Sequence, residues 1–129
     1  MTNRKKKVVI VGGGLAGLAL AMKFCERNGE ATVVSYQSLK RSHSVCAQGG
    51  INAAIDAKNE GDTPEKHFYD TIKGGDFLAH QPLVRDMCHQ APTIINLMDR
   101  MGVAFNRTGE GHLDFRRFGG TLYNRTAFA

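Results

Sequence analysis

The sequence predicts an α/β fold built on a parallel sheet, and two short runs with the segment between them carry the prediction. Lys7–Val11 (KVVIV) is a β-branched run, and Ala31–Ser35 (ATVVS) is a second. Between them Leu15, Leu18, Ala19, Met22 and Cys25 recur at helical spacing, and Gly29 stands where a helix would stop. Strand, helix and strand within about thirty residues form a βαβ unit, which makes the two strands parallel and the crossover right-handed. The first strand is apolar throughout, so both of its faces are expected to be covered.

The turn from strand to helix holds Gly12, Gly14 and Gly17 in the spacing G-x-G-x-x-G. In this context the first glycine permits the tight turn, the second lets backbone approach a pyrophosphate, and the third lets helix and strand pack closely. The helix N-terminus adds free N–H groups and the positive end of a dipole. Gly12, Gly13, Gly14, Leu15, Ala16 and Gly17 are therefore the candidate dinucleotide cradle of a Rossmann-like domain. An acidic residue is expected about 20 positions further on, where it would bind ribose hydroxyls. That place falls at Ser35, followed by Tyr36 and Gln37, so the usual NAD fingerprint is missing and only a hydroxyl is offered.

Further along, Gly49 and Gly50 open a segment, Ile51–Ala57, whose alanines favour a helix. Thr63 and Pro64 supply a cap and first helical position for PEKHFYDTIKGG, which Gly74 or Gly75 ends. Gln81 and Pro82 begin a further helix, and Pro92 interrupts or restarts it. Ile94, Ile95, Leu97, Met98 and Met101 then continue an apolar face as far as Gly102. Val103–Arg107, a turn at Gly109–Gly111 and His112–Phe118 read as a β-hairpin with weak alternation in both arms.

Length and composition limit the functions available. A chain of 129 residues is one domain at most, against a prior of about 150 residues per domain. The net charge is +5, and Arg4, Lys5, Lys6 and Lys7 concentrate four cations in a tail expected to be solvated, residues 1–7. The other cations form no stripe, which argues against nucleic-acid binding. Cys25, Cys46 and Cys88 are odd in number and widely spaced, fitting neither a disulfide framework nor a zinc site. Reduced thiols in a cytoplasmic compartment are the simpler inference. The basic tail followed by VVIVGGGLAGLALAM imitates a secretory signal, but three consecutive glycines oppose that reading. No stretch approaches the ~20 apolar residues of a membrane span.

The decamer Arg41–Gly50, RSHSVCAQGG, places a histidine between two hydroxyls and follows it with a glycine pair. Together with the glycine turn, the non-acidic Ser35, RSHSVCAQGGINAA, GDFLAHQPLV, MGVAFNRT and FRRFGG, it resembles the flavoprotein subunit of succinate dehydrogenase or fumarate reductase. The resemblance runs in order from Val8 to about Ala127.

The resemblance implies that His43 is bonded covalently to the 8α carbon of FAD. A neutral imidazole nitrogen is a competent nucleophile, and a covalent bond that withdraws electron density makes the flavin a better oxidant, as a weak reductant such as succinate requires. It further implies that Ser42, Ala47, Gln48, Gly49 and Gly50 line the flavin, with Cys46 a small neighbour, and that Gly49 and Phe118 contact a dicarboxylate. Arg116 and Arg117 are read as surface residues, and His67, His80, His89 and His112 receive no role.

On the same reading, residues 8–129 are the N-terminal part of an FAD-binding domain. The substrate-clamping histidines and arginines, the proton-transferring arginine and the capping domain belong to sequence beyond Ala129. The chain is then a fragment without a closing strand, with no catalytic residue of its own and inactive when isolated. The implied partners of the whole subunit are an iron-sulfur subunit and a membrane-anchor cytochrome b subunit, with quinone as acceptor, at the cytoplasmic face of the cell membrane. Two alternatives stand beside it. An aspartate oxidase shares the glycine motif and AQGG but holds FAD without a covalent bond, and a non-catalytic NAD-binding module would share the βαβ unit alone.

Overall fold

The computed structural model describes residues 5–129, so the first four positions of the basic tail lie outside the described residues. The chain forms two compact units, one ending at Ala47 and one beginning at Gln48.

In the first unit β1 (Lys7–Val11), α1 (Leu15–Glu26) and β2 (Glu30–Val34) form the expected βαβ unit. The strands are parallel and pair from Lys7 with Glu30 through Val11 with Val34. A Lys7–Glu30 ion pair of 2.9 Å closes the first rung. β2 starts and ends one residue earlier than the β-branched run suggested, because the Glu30 N–H already bonds the Lys6 carbonyl.

Two expectations for this unit are corrected. β1 is covered on one face only: Ile10 is buried, while Val9 and Val11 are 66% and 87% exposed. Among the described residues this sheet has two strands. The helix does not run to Gly29 either. It ends at Glu26, and Asn28, not the glycine, takes the left-handed conformation (φ 60°). Gly29 is needed for space, because a β-carbon there would run into the Phe24 ring. After β2 come a 3₁₀ turn (Leu39–Arg41) and the single-turn helix α2 (His43–Cys46).

The second unit contains β3 (Ile51–Asn52), α3 (Pro64–Gly74), α4 (Gln81–Arg100), β4 (Phe115–Arg116) and β5 (Thr126–Ala127). The strands form an antiparallel sheet in the order β3-β5-β4, with Ala127 opposite both Ile51 and Phe115. α3 packs against α4. Ala53, Ala91, Ile95, Phe105, Phe115 and Ala127 form the core. Thr63 caps α3 as expected, its hydroxyl accepting from the Lys66 N–H at 3.2 Å.

Three further expectations are corrected here. Ile51–Ala57 is not helical: Ile51 and Asn52 enter the sheet, the Ala53 N–H bonds the Arg125 carbonyl at 2.7 Å, and Ala53 and Ala54 are buried. Their small size serves close packing, which outweighs helix propensity. Pro92 does not interrupt α4. Cys88, Ala91 and Ile95 are buried on either side of it, and one continuous packed face outweighs the hydrogen bond that proline removes. The hairpin shrinks to one bridge between Arg107 and Leu113, because Phe115–Arg116 pairs with β5 and the Asn106 N–H bonds the Phe128 carbonyl. Thr126–Ala127 is the central strand of this antiparallel sheet and adds no strand to β1 and β2.

Candidate cofactor and substrate site

The six residues of the glycine cradle lie together, Gly12, Gly13 and Gly14 in the turn after β1 and Leu15, Ala16 and Gly17 in the first turn of α1, and each glycine has a distinct physical reason. Gly12 has φ +115° with open space around it, so the backbone conformation alone demands glycine, and its N–H bonds the Val34 carbonyl at 2.8 Å. A β-carbon on Gly13 would collide with Leu39 and lie 3.0 Å from Ser35 Oγ. One on Gly17 would strike the Gly12 carbonyl and lie 3.4 Å from Ile10 Cγ2, which is the close helix–strand approach expected of the third glycine.

Gly14 is the extended N-cap of α1, without a side chain to offer the first turn. That service comes from a residue the sequence did not single out. Ser44 Oγ accepts from the Leu15 N–H at 3.0 Å and lies 3.3 Å from the place of a Gly14 β-carbon. Its only local signal is a hydroxyl directly after His43. The N–H groups of Ala16 and Gly17 remain without a partner among the described residues, since the first helical bond runs from Leu18 to Gly14. Two free donors at a positive helix end fit an anion such as a diphosphate.

Ser35 follows the last residue of β2, and its side chain stands beside Gly13. Ser42 is the extended residue before α2 and accepts backbone bonds from Val45 and Cys46. His43 opens α2 with its side chain exposed, and Ala47 ends it. The exposed imidazole stands on a short turn in the unit that carries the cradle. All three cysteines are free thiols, with Cys46 exposed and Cys88 buried.

In the second unit Gln48, Gly49 and Gly50 lead into β3. Gly50 (φ +93°) is pressed against β5, where a β-carbon would collide with the Ala127 carbonyl. Gly49 faces Phe118: a β-carbon there would lie 3.1 Å from Cε1 of the ring. The two residues expected to share a substrate contact, 69 positions apart, are thus brought together.

Behind this strand lies a buried cluster that sequence reasoning missed. Arg125, whose side chain is wholly buried, pairs with Asp62 at 2.8 Å and Asp70 at 2.9 Å. His67 is 5% exposed on the same side of α3, one turn before Thr71, which meets Cys88. Burial, reinforced by the Arg125 charge and opposed by Asp70, pushes the His67 imidazole below its ordinary range. Glu60 adds bonds of 2.7 Å to the backbone and side chain of Asn124. The cluster holds the start of β5 in place, and through it Gly50 and Asn52. No local pattern announces it, because its partners are more than fifty residues apart.

Comparison with known proteins extends this geometry. The chain is 59% identical over 125 residues to the succinate dehydrogenase flavoprotein subunit of Bacillus subtilis, covering 97% of this chain and 21% of the relative. Among solved structures it matches Mycobacterium smegmatis Sdh1 in complex with UQ1 at a TM-score of 0.90 and 33% identity, over 98% of this chain and 21% of the other. It matches a variant of Escherichia coli quinol fumarate reductase FrdA at 0.83 and 35%, over 96% and 22%. The chain thus spans about a fifth of the length of these proteins. The FAD binding domain family matches residues 7–129, a span that takes in the cradle, His43 and Phe118 alike. This chain belongs to the FAD binding domain family.

Proposed function

We propose that the chain is the FAD-holding portion of a flavoprotein subunit that interconverts succinate and fumarate, with FAD attached covalently through His43. The observation that carries the reading is the exposed His43 in the unit that also bears the cradle with its two unpaired N–H donors, in a chain so similar to a succinate dehydrogenase subunit.

Within that reading, Gly12, Gly13, Gly14, Leu15, Ala16 and Gly17 hold the diphosphate. The free Ala16 and Gly17 N–H groups supply the hydrogen bonds, and the missing β-carbons supply the room. Ser35 offers its hydroxyl to the ribose. Ser42, His43, Ala47, Gln48, Gly49 and Gly50 belong to the flavin's surroundings. When bound, FAD would supply the two-electron oxidising capacity of the site. Gly49 and Phe118 orient the dicarboxylate, the ring supplying an apolar wall and the glycine leaving space beside it.

The whole subunit passes electrons to an iron-sulfur partner and, through a cytochrome b membrane anchor, to quinone. Attachment at the cytoplasmic face through such partners is part of the same proposal; among the described residues no helix is long and apolar enough to cross a membrane.

The test is acid precipitation of the full-length subunit from its complex. Flavin fluorescence is expected to stay with the polypeptide and to map to the peptide containing His43. A His43→Ser variant is expected to keep FAD that acid releases. Complete release of flavin from the wild-type protein would overturn the covalent assignment.

A further inference from the structure

We propose that Arg116 is a carboxylate-binding residue of the substrate site, a role that rests on the dicarboxylate reading above and extends it. The guanidinium of Arg116 lies 4.3 Å from the ring centroid of Phe128 and 5.3 Å from that of Phe118. Phe118 is the ring that meets Gly49. Arg116 projects from β4, and its backbone is fixed opposite Thr126 of the central strand.

Its partners set it apart from the arginines around it. Arg107 is tied to Asp99, Arg117 to Glu60, and Arg125 to Asp62 and Asp70. Arg116 has no carboxylate partner and donates no side-chain hydrogen bond among the described residues. Stacking on aromatic rings occupies the faces of a guanidinium and leaves its edge, which carries the N–H donors, unobstructed. A guanidinium resting against two rings, with no carboxylate partner of its own among the described residues, is a receptor that a carboxylate engages with two parallel hydrogen bonds.

The chemistry also suits the ligand class. A dicarboxylate brings two negative charges beside Phe118, and Arg116 is the cation stacked on that ring. Arg117 shares the FRRF sequence but is spent on Glu60 at 3.3 Å. The two adjacent arginines therefore divide, one bracing the loop at Glu60 and one left for an anion.

The test uses the full-length subunit in its complex, with malonate as the dicarboxylate probe. Charge-assisted hydrogen bonds contribute about 1.5–3 kcal/mol, so Arg116→Gln is expected to weaken malonate binding and raise the succinate KM by ~10–100-fold. Covalent flavin content and melting temperature are expected to stay at wild-type values, and kcat to change less than about threefold, as for uniform binding. Arg116→Lys keeps the charge and stem without the fork, so it is expected to fold normally and recover only part of the affinity. Malonate affinity within twofold of wild type in Arg116→Gln overturns the proposal. So does loss of melting temperature in both variants with malonate affinity retained by Arg116→Lys, which makes Arg116 a brace for the two rings. A wild-type subunit that carries flavin but binds no malonate overturns the dicarboxylate reading itself.

Discussion

The ring of Phe118 rests on a residue with no side chain: a β-carbon at Gly49 would lie 3.1 Å from its Cε1 atom. Phe118 is 50% exposed, so the ring has room to retreat by a few tenths of an ångström. Gly49→Ala is therefore expected to cost about 1 kcal/mol of stability or less. Gly49→Val forces a larger displacement and is expected to raise the succinate KM of the full subunit several-fold while covalent flavin is retained. Steady-state kinetics beside in-gel flavin fluorescence check both statements.

The glycines of the cradle should fail in different ways. In Gly17→Ala the new methyl group meets the Gly12 carbonyl, which is backbone and has no rotamer to change, so α1 must move off β1. The expected cost is about 1–3 kcal/mol, with loss of bound FAD measured by the ratio of flavin to protein absorbance. Gly12→Ala meets no atom within 4 Å, yet its φ of +115° is closed to alanine. A similar loss of stability is expected through backbone strain.

Arg125 neutralises two carboxylates in a buried place. Arg125→Leu leaves Asp62 and Asp70 without their cation and is expected to cost about 3–5 kcal/mol, read as a large fall in melting temperature of the full subunit. Adding Asp62→Asn to that variant removes one uncompensated charge and should recover part of the loss. If Arg125→Leu melts with the wild type, the ion triad does not hold β5.

The buried His67 predicts the sign of a pH effect. Its folded-state affinity for protons is depressed, so the unfolded chain takes up a proton first as pH falls below the ordinary value of 6.5. The stability it contributes is therefore complete above that value and is lost as pH falls through the depressed one. Melting temperature is expected to drop between pH 7 and pH 5, and His67→Gln should flatten that part of the profile. An unchanged slope in the variant would assign the effect to other groups.

The sequence made local features legible and long-range ones illegible. β1, α1 and β2 were readable because period, glycine spacing and β-branching all act within a few residues, and the Thr63 cap with Pro64 fixed the start of α3 for the same reason. Ile51–Ala57 misled because alanine propensity argues for a helix, whereas the segment's fate is set by Arg125 and Ala127, more than seventy residues away. Pro92 misled because its local cost is outweighed by burial of Cys88, Ala91 and Ile95 against neighbours that periodicity does not reveal. At the candidate site, the cradle and His43 were visible as motifs. Ser44 at the Leu15 N–H and Arg116 between two rings depend on side-chain meetings that spacing alone does not encode.

The ribbon of β1 and β2 has an unpaired outer rim on each side, counted over the described residues. Such rims are templates: any extended segment that arrives gains a full ladder of backbone bonds, and the bare valines at 9 and 11 reward it for staying. Lysines 5 and 6, both exposed, guard one end by charge repulsion, while Lys7 is paired with Glu30. A preparation of this polypeptide by itself should accordingly clump through strand addition, more readily as salt screens those two charges.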